Sequence, residues 1–156
     1  MNVVLRAADT ADSYPLWLWV NDPAARAASG HQGPIEWDPH AAWVAGRLAS
    51  PDALILIAHS PTGRPLGTIR FETEDGWVSA RLSYLVAPES RGLGVGRALL
   101  TCGLETLSRT REGTRLVALV RGANGASRHL FTSLGWAEDG STDEFVRFVH
   151  QGGRQP

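Results

Sequence analysis

A single cysteine, Cys102, excludes an internal disulfide in this chain of 156 residues. It falls inside a helix-like run and reads as a small buried residue rather than a nucleophile. The five histidines (His31, His40, His59, His129 and His150) share no metal-ligand spacing, so no metal site is expected. The apolar run at residues 54–58 is far too short to cross a bilayer, and no basic segment with an apolar core opens the chain. No membrane partner and a cytoplasmic location are therefore expected. Fifteen basic side chains nearly balance 16 acidic ones, so no long-range field draws the protein toward nucleic acid. Repeats, low-complexity tracts and dividing linkers are also missing. One domain over residues 1–150 with a polar tail at 151–156 is the expectation, and nothing in the sequence sets an oligomeric state.

What the chain does have is glycine in one telling place. Residues 82–87 carry the β-branched and aromatic content of a buried strand, closed by Pro88. After them comes Arg91-Gly92-Leu93-Gly94-Val95-Gly96-Arg97, and then a helix-like run with Leu93, the Arg97 stem, Leu100, Leu104 and Leu107 at helical spacing. A glycine turn that opens a helix presents unpaired N–H groups and the positive end of the helix dipole to one point, which suits a phosphate or pyrophosphate. Arg91 and Arg97 add charge at the rim. The dinucleotide fingerprint is excluded, because Arg97 stands where its third glycine belongs, and no Gly-Lys-Ser/Thr of a P-loop is present.

Around this loop the pattern alternates. Strands are expected at residues 3–7, 53–59, 66–73, 77–87, 115–120 and 145–149. Asp9 or Asp12 can cap a short helix carrying Leu16, Trp17 and Trp19, and Asn21-Asp22-Pro23 starts another that stops at Ser29-Gly30. Residues 31–37 read as a loop. Asp38-Pro39 starts a helix with Ala42, Trp43, Gly46 and Leu48 as inward candidates. A last helix spans 124–134, with Ala126, Leu130 and Leu134 on one face, Phe131 adjoining, and Gly135 as a left-handed cap.

The Arg-x-x-Gly-x-Gly pattern of Arg91, Gly94 and Gly96 resembles the acetyl-CoA pyrophosphate loop of the GNAT (GCN5-related N-acetyltransferase) family. Asn124-Gly125-Ala126-Ser127-Arg128-His129-Leu130-Phe131, closed by Leu134-Gly135-Trp136, resembles a second motif of that family, in the right order and after a strand. The resemblance implies an α+β single-domain GNAT fold: a central mixed, mostly antiparallel sheet, splayed between its fourth and fifth strands and flanked by helices. It implies acetyl-CoA, with pantetheine along the backbone of Leu85, Val86 and Ala87. The pyrophosphate would rest on the amides of Gly92, Leu93, Gly94, Val95, Gly96 and Arg97, beside Arg91. Asn124 would face the pantetheine, Ser127 and Phe131 would border it near the sulfur, and the N–H near Val86 would polarise the thioester carbonyl.

Two positions depart from the family pattern. Phe131 stands where many relatives carry a tyrosine that protonates the leaving thiolate, and Arg81 where a glutamate is common. Tyr84, a water, or unassisted departure of a thiol of pKa about 8.5 can take over the first role. A coenzyme-binding sensor without catalysis is the non-enzyme alternative. A site with a weak base favours amines of low pKa. A lysine at about 10.4 needs roughly 3.4 kcal/mol more deprotonation work than an α-amino group at about 8. Residues 19–23, 40–43 and 67–71 resemble enzymes acetylating nucleotide-linked amino sugars. That resemblance implies Asn21, Arg70, Glu72 and Tyr84 around sugar hydroxyls or a diphosphate, with Glu72 as proton acceptor. A protein N-terminus or another small-molecule amine is the alternative acceptor.

Overall fold

The computed structural model describes residues 2–30 and 33–151; His31, Gln32 and positions 152–156 of the expected tail lie outside it. One seven-stranded sheet runs through the molecule in the order β1-β2-β3-β4-β5-β7-β6. The strands are β1 Val4–Ala7, β2 Ala53–His59, β3 Pro65–Glu72, β4 Ser79–Val86, β5 Arg115–Arg121, β6 Ala137–Ser141 and β7 Phe145–Gln151. Every neighbouring pair is antiparallel except β4 and β5. The helices are α1 Ser13–Val20, α2 Pro23–Ser29, α3 Trp37–Ala49, α4 Val95–Thr110 and α5 Gly125–Ser133. None of them is long and apolar enough to cross a membrane.

Alternation along the strands sorts their side chains into two cores. On one face Leu56, Ile69, Phe71, Leu82, Leu116, Ala118 and Phe148 meet Val95, Leu99, Leu100 and Leu107 of α4 and Phe131 of α5. On the other, Ile57 and Ala87 pack with Leu16, Trp19 and Val44 from α1 and α3. The β3–β4 contact is tight at Gly67, where a Cβ would stand 2.6 Å from the carbonyl oxygen of Leu85 and 3.3 Å from Cα of Val86. Only a residue without a side chain admits that approach.

Several expectations shift. Leu93 precedes α4 and is exposed, because Gly94 in the left-handed region starts the helix after it. Trp77 does not begin β4: it takes φ 71° in a turn whose amides are held by Thr73 Oγ1. α3 begins at Trp37 and turns His40 and Val44 inward, leaving Ala42, Trp43 and Gly46 outward. On α5 the buried positions are Ser127 and Phe131, whereas Ala126 is exposed. Asp9, through a reciprocal capping box with Asp12, starts the turn before α1, while Asp12 binds Arg6 rather than capping α1.

Candidate active site

β4 and β5 pair at three positions only, Ser79 with Arg115, Ala80 with Leu116 and Arg81 with Val117, and then part. β4 stays paired with β3 as far as Val86, so the gap opens on its β5 side. Which backbone groups line the gap follows from alternation. Ala87 N–H donates to Leu66 O, and Arg115 N–H donates to Val78 O. In-plane direction reverses at each residue of a strand, so the Leu82 carbonyl and the amides and carbonyls of Tyr84 and Val86 turn into the gap, while the Leu82 amide closes the last bond to β5. Of the three residues expected along the pantetheine, Val86 alone does so. Leu85 and Ala87 turn theirs to β3, and the Leu85 side chain packs on the second core.

The glycine loop lies at the wide end of this gap. Gly92 at φ 75° and Gly94 at φ 83° take conformations that side chains resist, and a Cβ at either would face open space. Between Gly92 and Arg97, no backbone N–H donates a hydrogen bond among the described residues. No side chain caps α4 either. These free donors at the start of a helix of 16 residues fit a pyrophosphate, and the vacant Cβ positions leave it room. Gly96 seats the first turn of α4 against Leu130, Tyr84 and Val86. Both arginines stand at the rim, already engaged. Arg91 donates to Asp22 at 2.6 Å and Arg97 to Ser133 Oγ at 2.7 Å.

Across the gap the contacts are aromatic and hydroxylic. Tyr84 Oη lies 2.9 Å from Ser127 Oγ, joining β4 to α5. Burial pushes the Tyr84 phenol above its ordinary range, partly offset by the Ser127 bond. Asn124 caps α5 by accepting from Ser127 N–H. Phe131 is 1% exposed, sandwiched by Phe148 at 5.4 Å and Trp136 at 4.9 Å, with Tyr84 edge-on at 5.9 Å. It therefore belongs to the core and not to the wall expected to border the sulfur. The one phenol near the gap comes from β4.

The opposite face of β3 and β4 carries charge. Register places Arg70 opposite Ser83 and Glu72 opposite Arg81. Glu72 Oε1 lies 2.6 Å from Arg70 Nε, and its Oε2 accepts from Arg47 Nη1 at 3.3 Å. A carboxylate shared by two guanidiniums is poorly placed as a proton acceptor. The Arg70 guanidinium stacks on Trp43 at 4.7 Å. Asn21 is not free to hold a ligand: its side chain accepts from Ile35 N at 2.6 Å and donates to Ile35 O at 3.0 Å, pinning the segment before α3. Asp22 caps α2 in its place. Beside these residues a pocket of about 380 Å³ lies among Trp17, Leu18, Asn21, Asp22, Pro34 and Pro88. Arg47 gave no sequence signal as a site residue, since an arginine on an amphipathic helix looks like ordinary surface.

A sequence model of the acetyltransferase (GNAT) domain matches residues 2–137. No curated protein matches the chain. Among solved structures, the fold is similar to spermidine N-acetyltransferase from Vibrio cholerae in complex with CoA and spermine. There the TM-score is 0.85 at 16% identity, covering 96% of this chain and 95% of that one. It is similar to a phosphinothricin acetyltransferase from Sinorhizobium meliloti in complex with AcCoA, with TM-score 0.82, 19% identity and coverage of 98% and 90%. It is also similar to ribosomal-protein-alanine N-acetyltransferase from Brucella melitensis, with TM-score 0.80, 23% identity and coverage of 95% and 99%.

Proposed function

This chain belongs to the GNAT acetyltransferase family, and from that premise we propose that it moves an acetyl group directly from acetyl-CoA to a primary amine. The observation that carries the reading is a strand with outward amides, β4, leading straight into a loop of undonated N–H groups at the head of α4. Two solved structures similar in fold contain this coenzyme or its deacetylated form. Bound acetyl-CoA supplies a thioester whose acetyl carbon bonds to the amine nitrogen as its bond to sulfur breaks.

This chain's residues do the rest. Amides from Gly92 to Arg97 hold the diphosphate, and Val86 N–H, turned into the gap, donates to the thioester oxygen as negative charge grows there. Tyr84 holds a proton at Oη beside Ser127 and gives it to the departing sulfur, the role that Phe131 cannot fill, and the proton shed by the attacking nitrogen passes to solvent, from which Tyr84 is reprotonated. With Glu72 committed to arginines, positioning and the intrinsic basicity of the amine carry the attack. Such a site favours amines that are neutral near physiological pH. An amino sugar linked to a nucleotide is the preferred acceptor, and a protein N-terminus or small-molecule amine the alternative.

Thiol release from acetyl-CoA, measured with and without a panel of amines, tests the reading. Amine-dependent release is expected, together with a coenzyme-induced rise in melting temperature that Gly94→Ala diminishes. Stabilisation by coenzyme without turnover of any amine would instead identify a sensor.

A further inference from the structure

We infer that the acceptor carries an anionic group, a carboxylate or a phosphate, taken up by the free edge of Arg70 together with Arg81 where β4 leaves β5. The inference rests on the acetyl-transfer reading and adds the charge class of the amine.

Four charged side chains share one neighbourhood: Arg47, Arg70, Glu72 and Arg81. Three guanidiniums against one carboxylate leave two positive charges unmatched. Glu72 is shared between Arg70 and Arg47. Arg81, directly opposite it in register, makes no ion pair or hydrogen bond among the described residues. Arg70 meets Glu72 through Nε alone, as an ion pair off the hydrogen-bond line, and its two terminal nitrogens are uncommitted among the described residues. Trp43 fixes the plane of the Arg70 guanidinium, so its free edge is presented in a set orientation.

Arg70 is held among like charges at a cost. Burial lowers its pKa, Glu72 offsets part of this, and Arg81 and Arg47 lower it further. An arginine keeps its proton in spite of that. The arrangement is sensible if an anion completes it. The place is also right. Arg81 is the last β4 residue paired with β5, and Ser83, the partner of Arg70, is the next on the same face. Moreover, the chain contains no lysine: all fifteen basic side chains are arginines. Their planar forks match carboxylate and phosphate oxygens two at a time. A polyamine would meet repulsion here, unlike the acceptor bound by the spermidine enzyme of similar fold.

The test compares four amines at saturating acetyl-CoA: a nucleotide-linked amino sugar, an amino dicarboxylate, an uncharged amino sugar and spermidine. Both anionic amines should exceed spermidine in kcat/KM by about tenfold or more, the size expected of charge-assisted hydrogen bonds. In Arg81→Gln, and more so in Arg81→Glu, the ratio of anionic to uncharged acceptor should fall about tenfold, while the KM for acetyl-CoA holds. Whichever anionic amine loses more identifies the source of the charge. Preference for spermidine, or an unchanged ratio in Arg81→Glu, overturns the charge assignment alone. Turnover of none of the four overturns the transfer reading with it.

Discussion

Arg91 donates to the same carboxylate oxygen, Oδ2 of Asp22, that caps helix α2. The first residue of the glycine loop is thus tied to the cap of helix α2. The contact holds the Asp22 carboxyl below its ordinary range, chiefly through the Arg91 bond, with the Ala24 and Ala25 amides assisting. On the proposed reading, a diphosphate on the loop would compete with Asp22 for this guanidinium. Asp22→Asn keeps an oxygen for the cap, so the melting temperature should barely move. Coenzyme should bind more tightly, by no more than about fivefold, because a largely exposed pair is worth about 0–1 kcal/mol. Calorimetric titration with CoA reads this directly, and weaker binding in Asp22→Asn would show that the pair presents Arg91 rather than restrains it.

Tyr84→Phe removes the only hydroxyl facing Ser127 and leaves Phe131 packing untouched. The expected result is a fall in kcat of about a hundredfold, the lower end for general acid catalysis, with the KM for acetyl-CoA nearly unchanged. Stability should drop by about 1 kcal/mol for the lost bond. A kcat close to wild type would remove Tyr84 from the chemistry and leave the thiolate to depart unaided.

Gly67→Ala tests the seat of β4. In most strands alanine stabilises relative to glycine, but here the new methyl meets the Leu85 carbonyl at 2.6 Å. Backbone must yield, at about 1–3 kcal/mol, and the residue displaced is Val86. Urea unfolding should show the loss, and the KM for acetyl-CoA should rise with it. An unaltered or improved midpoint would mean that the strands are free to separate.

Stability should also depend on pH through two histidines. His40 donates from Nε2 to Ser13 O between the rings of Trp37 and Trp43, and burial lowers its pKa, partly offset by that bond. Burial lowers His150 as well. Below about pH 6.5 the unfolded chain takes up protons that the folded one refuses, so unfolding becomes easier as pH falls. Above that range both forms are neutral at these sites and the term vanishes. Asp12, held low chiefly by Arg6, and Asp22 add their losses only below about pH 4. Urea midpoints should therefore decline between pH 7 and 5, and the decline should flatten in the double variant His40→Gln with His150→Gln. An identical slope in that variant would place the effect elsewhere.

Much of the local geometry of the candidate site was legible because glycine and proline act locally. Gly94 and Gly135 mark the start of α4 and the end of α5 without help from the rest of the fold. What escaped depended on distant partners. β6, Ala-Glu-Asp-Gly-Ser, is exposed along its length and has no apolar alternation; pairing with β7 alone makes it a strand. Ser127 is inward because Tyr84, 43 residues away, offers its hydroxyl a partner. The same distance effect turned Asn21 from a ligand residue into a clamp on Ile35. Leu85, on β4, and Ala87, just past its end, turn their backbone groups to β3 rather than into the gap, since a single residue decides which way an amide points.

The parting of β4 from β5 has a cost for the unliganded molecule. Tyr84 and Val86 form an unprotected margin in the middle of a sheet, of the kind that recruits any extended peptide able to reach it. Coenzyme lying there would therefore act as a guard against self-association as well as a reagent, and purified protein should keep longest when stored with CoA.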